Sequence, residues 1–251
     1  MLIAKCFTRL SLAALVGALA LVAPAEAQTK AQAKKKPTFP VLVEFFDSTT
    51  PAAQKLVPQI LAEVNKNAQV VFLDYRLGLI SDPKAETTFT QRRAGYACLF
   101  GMDFVKEPGL VVDGEKRASA STLAADIASA SGSDKVPVTL SAQSTFNKLD
   151  IKATFFDSQH RTFRSRVSFV IVEDDPSGKT AGGASGERRL GVVREILERG
   201  FVLSDQPAKI DASCQLAPGW KKKDLRVVMF VQNPLNRKVS LCASCPVKVQ
   251  E

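Results

Sequence analysis

The spacing of apolar residues changes once along the chain, close to residue 132. Between residues 39 and 132, short apolar runs alternate with stretches that have the spacing of helices. From residue 136 onward, apolar residues instead occupy every second position, as in half-buried strands. The pattern therefore predicts a segment of mixed strands and helices, 39–132, followed by a mainly β segment, 136–251.

The first segment has strand-like runs at 41–46, 70–73 and 109–112, and the last run is followed by the hairpin turn Asp113-Gly114. Pro51 favours the start of a helix, with Thr50 as its N-cap. Further helices are predicted at 84–99 and 121–130. The predicted order is β-α-β-α-β-β-α.

This order resembles that of thioredoxins, whose Cys-x-x-Cys pair begins the first helix and faces a proline that is usually cis. If Pro58 is aligned with the usual helix proline, Thr50 and Ala53 stand at the two thiol positions. Pro108, preceded by Glu107, takes the place of the cis proline. No cysteine lies between Cys6 and Cys98, so no other alignment supplies the pair.

The second segment has alternating apolar positions and turns that are typical of a β-sandwich. The stretch 190–199 fits either a helix or a strand, and 176–187 is predicted to be a flexible loop. The expected fold class is an α/β thioredoxin-like N-terminal domain, 39–132, followed by a mainly β, sandwich-like C-terminal domain, 136–251. The alternating apolar residues are Val136, Val138, Leu140, Ala142, Leu149, Ile151, Ala153, Phe155, Val167, Phe169 and Ile171.

Four segments in order resemble an uncharacterised family of secreted bacterial proteins with a thioredoxin-like domain and a β-rich domain. The family's turn, E-L-F-T-S-Q-G-C-S-S-C-P-P, is matched by residues 44–54, and its tyrosine-and-arginine helix by 91–96. Its V-D-G and V-V-R segments are matched by 105–114 and 191–196. In the family's own register, Pro51 and Gln54 replace the cysteines, so the resemblance implies the scaffold without the redox pair.

The N-terminus has the pattern of a secretory signal. Lys5 and Arg9 precede an apolar core of 14 residues, 10–23, and Ala25-Glu26-Ala27 is an A-x-A cleavage pattern. An uncleaved anchor is the alternative, but a spanning helix needs about 20 apolar residues. We therefore expect a signal peptide at 1–27, a disordered basic arm at 28–38, a periplasmic location, and no transmembrane segment in the mature chain.

The chain has a net charge of +9, which favours acidic partners or an anionic envelope surface. Nucleic acid is not expected, because basic and aromatic residues are not interleaved. Arg92-Arg93 fits an anion site, although a solvated helix face is the default interpretation. His160, the only histidine, lies in a polar segment and is expected at the surface, which argues against a hydrolase triad.

Four cysteines remain after removal of the signal, and in an oxidising compartment we expect structural disulfides, with three connectivities open. Cys242 and Cys245 have redox spacing, but no helix follows them to lower a thiol pKa. A four-cysteine zinc site is disfavoured because only one such pair exists, so no metal or cofactor is predicted. The cysteines are Cys98, Cys214, Cys242 and Cys245.

The sequence favours a non-catalytic binding or structural module of the cell envelope over an enzyme. Its expected partner is an extended peptide or another envelope protein, which would contact residues 49–51 and Glu107-Pro108. The alternative is a thiol-disulfide oxidoreductase that uses relocated cysteines, either Cys98 or the pair Cys242 and Cys245. Interconversion of thiols under mild reductant would distinguish the two.

Overall fold

In the computed structural model of the chain, the described residues include eleven strands that form one mixed sheet. The structure describes residues 39–47, 51–76, 83–101, 109–160, 162, 164–175, 189–202 and 207–250, which all belong to one compact unit, Lys36–Glu251. The predicted signal peptide, basic arm and loop 176–187 lie outside the described residues, as do Thr50, Glu107 and Pro108.

Within these ranges, three α-helices and one short 3-10 helix, at Lys222–Asp224, accompany the sheet. The helices are α1 (Pro51–Asn65), α2 (Pro83–Phe100) and α3 (Leu123–Ser131). The strands are β1 (Val41–Asp47), β2 (Val70–Arg76), β3 (Gly109–Val112), β4 (Lys116–Ala118), β5 (Val138–Thr145), β6 (Lys148–Phe155), β7 (Arg166–Asp175), β8 (Arg189–Phe201), β9 (Ala208–Gln215), β10 (Leu225–Gln232) and β11 (Val239–Gln250).

The order of the strands shows that the predicted fold class is wrong. It runs β4-β3-β1-β2-β8-β7-β10-β11-β5-β6-β9, so strands from both segments of the chain share one sheet. The join is the parallel pairing of β2 with β8, where Asp74 lies opposite Val192. The protein is therefore mostly β, and not an α/β thioredoxin-like domain followed by a separate β-sandwich. The bounds assigned to the two segments stay a prediction.

Burial on both faces of β7 explains this difference. Val167, Phe169 and Ile171 face one apolar cluster, as their alternation predicts. The intervening Val170 and Val172 are equally buried, but they face a second cluster that includes residues of β1, β2 and α2. A sandwich strand with a solvated outer face would show polar residues there, whereas strands covered on both faces read as continuous apolar runs.

A third apolar cluster lies between the sheet and helices α1 and α3, and it includes Phe45, Ile60, Leu110 and Leu123. The ambiguous stretch 190–199 forms part of the long strand β8. Among the described residues, no helix has both the length and the apolar character that crossing a membrane requires.

Candidate functional site

The predicted site residues lie at the start of α1 as far as the structure describes them. Pro51 is the first residue of the helix and is exposed, in agreement with the preference of proline for that position. Ala53 and Gln54 belong to the first turn of the same helix. The part of the predicted site formed by these residues stays a prediction.

A pocket of about 550 Å³ opens beside the edge strand β4. Its floor consists of Phe45, Ile60 and Leu110, which are almost completely buried in the core beneath α1. Its rim is formed by Arg117 of β4 and by the turn 119–122, which leads into α3. We call this cavity the β4 pocket. An apolar floor with a polar rim is the usual composition of a binding pocket.

The rim of the β4 pocket is held in one shape by hydrogen bonds within the turn. The backbone N–H of Ser119 donates to Oγ1 of Thr122 at 3.0 Å, and the N–H of Thr122 donates to Oγ of Ser119 at 3.2 Å. The hydroxyls of Ser119 and Ser121 are also bonded, at 2.9 Å. Because these bonds are local, the turn is ordered before any ligand arrives.

Strand β4 ends the sheet on this side, and among the described residues no strand pairs with its outer edge. The strand is short and carries the exposed basic residues Lys116 and Arg117. Lys116 reaches α3, where its Nζ lies 3.7 Å from Oδ1 of Asp126 and 3.2 Å from Oγ of Ser129. Short, charged edge strands resist non-specific pairing with other chains but retain backbone groups that a matched segment can use.

A second group of polar residues is largely buried between α2 and the sheet. Glu44 of β1 accepts hydrogen bonds from Nε and Nη2 of Arg92, at 2.6 and 2.9 Å. The side chain of Glu44 is completely buried and that of Arg92 is 9% exposed. The default interpretation of the sequence placed Arg92 on a solvated helix face. The structure shows that this interpretation is wrong.

Three further side chains complete this buried group. The hydroxyls of Tyr75 and Tyr96 donate to Glu44 at 2.9 and 2.5 Å, and Nε2 of Gln232 donates to the Tyr96 oxygen at 2.8 Å. Burial, followed by the neighbouring Glu44 charge, raises the pKa of Tyr75 well above its ordinary value. Burial would lower the pKa of Arg92, but the Coulombic attraction of Glu44 opposes this, and the pKa of Arg92 is raised well above its ordinary value.

The cysteines do not form a redox site in this structure. All four are free thiols, so the expected structural disulfides are not formed. Cys242 and Cys245 are three positions apart in β11, where side chains alternate between faces, and they pack against different apolar clusters. Burial raises the pKa of the Cys242 thiol to about 12 and that of Cys245 to about 11.

The remaining candidates do not form a catalytic constellation. Cys98 is exposed on α2, and Cys214 lies in β9, where burial raises the pKa of its thiol to about 12. His160 is exposed, as predicted. Within the described ranges, no group of three His, Cys, Asp or Glu residues is arranged to hold a metal ion.

Sequence reasoning missed both the buried group and the β4 pocket. The buried group had one signal in the sequence, which is the position of Glu44 within an otherwise apolar strand. A charge in such a position needs a buried partner. No comparable signal existed for the pocket, because its floor and rim come from four separate elements.

Two solved structures are similar to the chain over most of its length. HBP35 of Porphyromonas gingivalis is 15% identical, with a TM-score of 0.67 over 84% of this chain and 76% of that chain. Protein AGR_C_4864 from Agrobacterium tumefaciens is 14% identical, with a TM-score of 0.53 over 84% of this chain and 95% of that chain. At these identities the likeness concerns the fold alone.

No curated protein matches the chain. The model of the family described as "Protein of unknown function (DUF1223)" matches residues 42–232, which is most of the described unit. The chain therefore belongs to the DUF1223 family.

Proposed function

We propose that the protein is exported to the periplasm after removal of residues 1–27 and acts there as a non-catalytic binding module. The charged start, short apolar core and A-x-A pattern of the N-terminus support export. The replacement of cysteines by Pro51 and Gln54, in the register of the family turn, supports a role without thiol chemistry.

The position of the β4 pocket beside an unpaired strand edge carries the proposal. An extended segment that pairs with β4 uses backbone hydrogen bonds for affinity and points alternate side chains toward the protein. One of these side chains then reaches the apolar floor formed by Phe45, Ile60 and Leu110. A volume of about 550 Å³ accommodates a large aliphatic or aromatic side chain.

The charges around the pocket indicate which segment it accepts. Lys116 and Arg117 lie on the strand that the segment would join, and the chain as a whole has a net charge of +9. The partner is therefore an extended segment of another envelope protein, with one large apolar side chain and acidic residues beside it.

The geometry of Cys242 and Cys245 does not favour the alternative function, a thiol-disulfide oxidoreductase. Cys242 and Cys245 face different clusters and their thiol pKa values are raised, while an attacking thiol needs a lowered pKa and a partner within reach.

Selection from a phage-displayed library of random peptides tests the binding proposal directly. The full chain, the variant Ala120→Trp and the control variant Ala124→Trp are expressed and purified. Ala120 lies at the pocket, so the added indole fills it, whereas Ala124 is exposed on α3 outside the pocket.

We expect peptides with an apolar anchor and acidic neighbours to be enriched, and to bind Ala120→Trp at least about tenfold more weakly than Ala124→Trp. Equal binding to the two variants, or no enrichment at all, would overturn the proposal.

A further inference from the structure

A second cavity is bordered by α2 and β8 and is lined by arginines. Its volume is about 440 Å³, and it is bounded by Arg92 of α2, Arg166 of β7, Glu198 and Arg199 of β8, and Arg237, which precedes β11. A smaller pocket of about 80 Å³ adjoins it and shares Arg92, Arg166, Glu198 and Arg237. We call the two together the arginine cleft.

Ion pairs within the protein neutralise only part of the charge of this cleft. Arg92 is paired with the buried Glu44. Nη1 of Arg166 lies 3.1 and 3.0 Å from the two carboxylate oxygens of Glu198.

The other charged residues that line the cleft are two arginines, Arg199 and Arg237, and one carboxylate, Glu195. Nη2 of Arg199 donates to the carbonyl of Ser213 at 3.2 Å, which holds the side chain but does not cancel its charge. The cleft therefore has an excess of one positive charge.

Among the described arginines of the cleft, Arg237 has a guanidinium for which no described residue is an acceptor. It is half-buried, and its guanidinium lies over the ring of Tyr96, 5.8 Å from the centroid, and against Gly95. Across the described part of the chain, no carboxylate or carbonyl accepts a hydrogen bond from this guanidinium. The half-buried guanidinium therefore has hydrogen-bond donors that an acceptor on a ligand can reach.

The backbone on either side holds Arg237 in place. Its N–H donates to the carbonyl of Asn233 at 2.9 Å, and its own carbonyl accepts from Nε2 of Gln232 at 2.6 Å. The φ angle of Arg237 is 62°, in the left-handed region that non-glycine residues rarely adopt. These restraints hold the backbone from which the side chain extends, and the guanidinium itself contacts Tyr96 and Gly95.

We propose that the arginine cleft binds a carboxylate with an apolar body, held by a two-pronged hydrogen bond from Arg237. The planar guanidinium matches the two oxygens of a carboxylate, and one negative charge balances the excess in the cleft. Ile196 and Leu197 line the same cleft and provide apolar surface for the rest of the ligand. The ligand is a free carboxylic acid or the C-terminal carboxylate of a peptide, which share this chemistry.

The test follows the arginine Nε–Hε signals of the full chain by NMR during titration with hexanoate. The signal of Arg237 is identified by its loss in the variant Arg237→Gln. Hexanamide serves as the neutral isostere. A short apolar peptide, prepared with a free and with an amidated C-terminus, distinguishes the two sources of carboxylate.

We expect hexanoate or the free-acid peptide to shift the Arg237 signal, and the matching amide to bind at least about tenfold more weakly. Arg237→Gln should lose about tenfold in affinity, and Arg237→Lys should recover only part of it, because lysine lacks the planar fork. The control Lys238→Gln removes the same charge from the next residue, which is outside the cleft and pairs with Glu115.

Three outcomes would overturn the inference: no binding by any of the carboxylates, equal binding by acids and amides, or equal losses in Arg237→Gln and Lys238→Gln. The variant Ala120→Trp should bind hexanoate with unchanged affinity, because Ala120 is not part of the arginine cleft. The proposal for the β4 pocket and the inference for the arginine cleft are therefore tested independently.

Discussion

Arg92 of α2 binds both carboxylate oxygens of Glu44 on β1, with Nε 2.6 Å from Oε1 and Nη2 2.9 Å from Oε2. Nη1 of the same guanidinium donates to Oε1 of Gln232 on β10 at 3.1 Å. One buried arginine therefore ties the helix to strands that come from both halves of the chain. It also forms the inner wall of the arginine cleft.

Glu44→Gln should destabilise the protein strongly. The substitution preserves the shape of the side chain but leaves the Arg92 charge buried without a counter-charge, which costs about 3–5 kcal/mol. The control is Glu198→Gln, which breaks the ion pair between Glu198 and Arg166. Because these two side chains are 49% and 42% exposed, the loss of stability should be below about 1 kcal/mol. Urea unfolding measures both, and equal losses would contradict the assigned role of Glu44.

The sequence predicted individual elements well and the sheet poorly. The helix expected at 84–99 is found at Pro83–Phe100, and the Asp113-Gly114 turn joins β3 to β4. These are local features, set by proline, glycine and apolar spacing within a few residues. The pairing of β2 with β8 joins residues more than a hundred positions apart, and no local pattern specifies it.

The candidate sites were even less accessible to sequence reasoning. The pattern around Pro51 identified the beginning of α1, but the floor of the β4 pocket depends on the packing of Phe45, Ile60 and Leu110. Arg237 follows the turn 234–236 that joins β10 to β11, and no pattern around it in the sequence indicates a binding role. Only the tertiary structure shows that its guanidinium lies against Tyr96 and Gly95 and has no carboxylate partner among the described residues.

Gly114→Ala should be more destabilising than Gly101→Ala. Both glycines have left-handed φ angles, 73° and 60°, so each substitution carries a backbone cost of about 1–2 kcal/mol. A Cβ at Gly101 meets open space, whereas one at Gly114 would collide with the backbone carbonyl of Arg237. Thermal unfolding should show that Gly114→Ala loses about 1–3 kcal/mol more stability than Gly101→Ala. Similar losses for the two variants would mean that the turn containing Gly114 does not contact the backbone of Arg237.

Thiol labelling of the native protein should modify Cys98 first. Cys98 is exposed, whereas Cys242 is buried and burial raises the pKa of its thiol to about 12, so little of the reactive thiolate is present at pH 8. The protein should also fail to reduce insulin disulfides above the background of the reductant. If it does reduce insulin and Cys242→Ser/Cys245→Ser abolishes the activity, the oxidoreductase alternative is correct.

The exported protein should begin at Gln28. The prediction depends on the A-x-A pattern at 25–27, which follows an apolar core too short to span a membrane. Intact-mass measurement of the chain recovered from the periplasm checks it. A mass that still includes residues 1–27, or a protein found only in the cytoplasm, would contradict the proposed export.

The β4 pocket is the proposed place where a partner segment binds. The most direct measurement is amide NMR mapping of the full chain with a peptide selected from the random library. We expect the peptide to shift the amide signals of Lys116, Arg117 and Ala118 on β4, together with that of Ala120. The amide signals of Cys242 and Cys245 should not change. Shifts confined to β11 around the two cysteines, with β4 unaffected, would contradict this proposal.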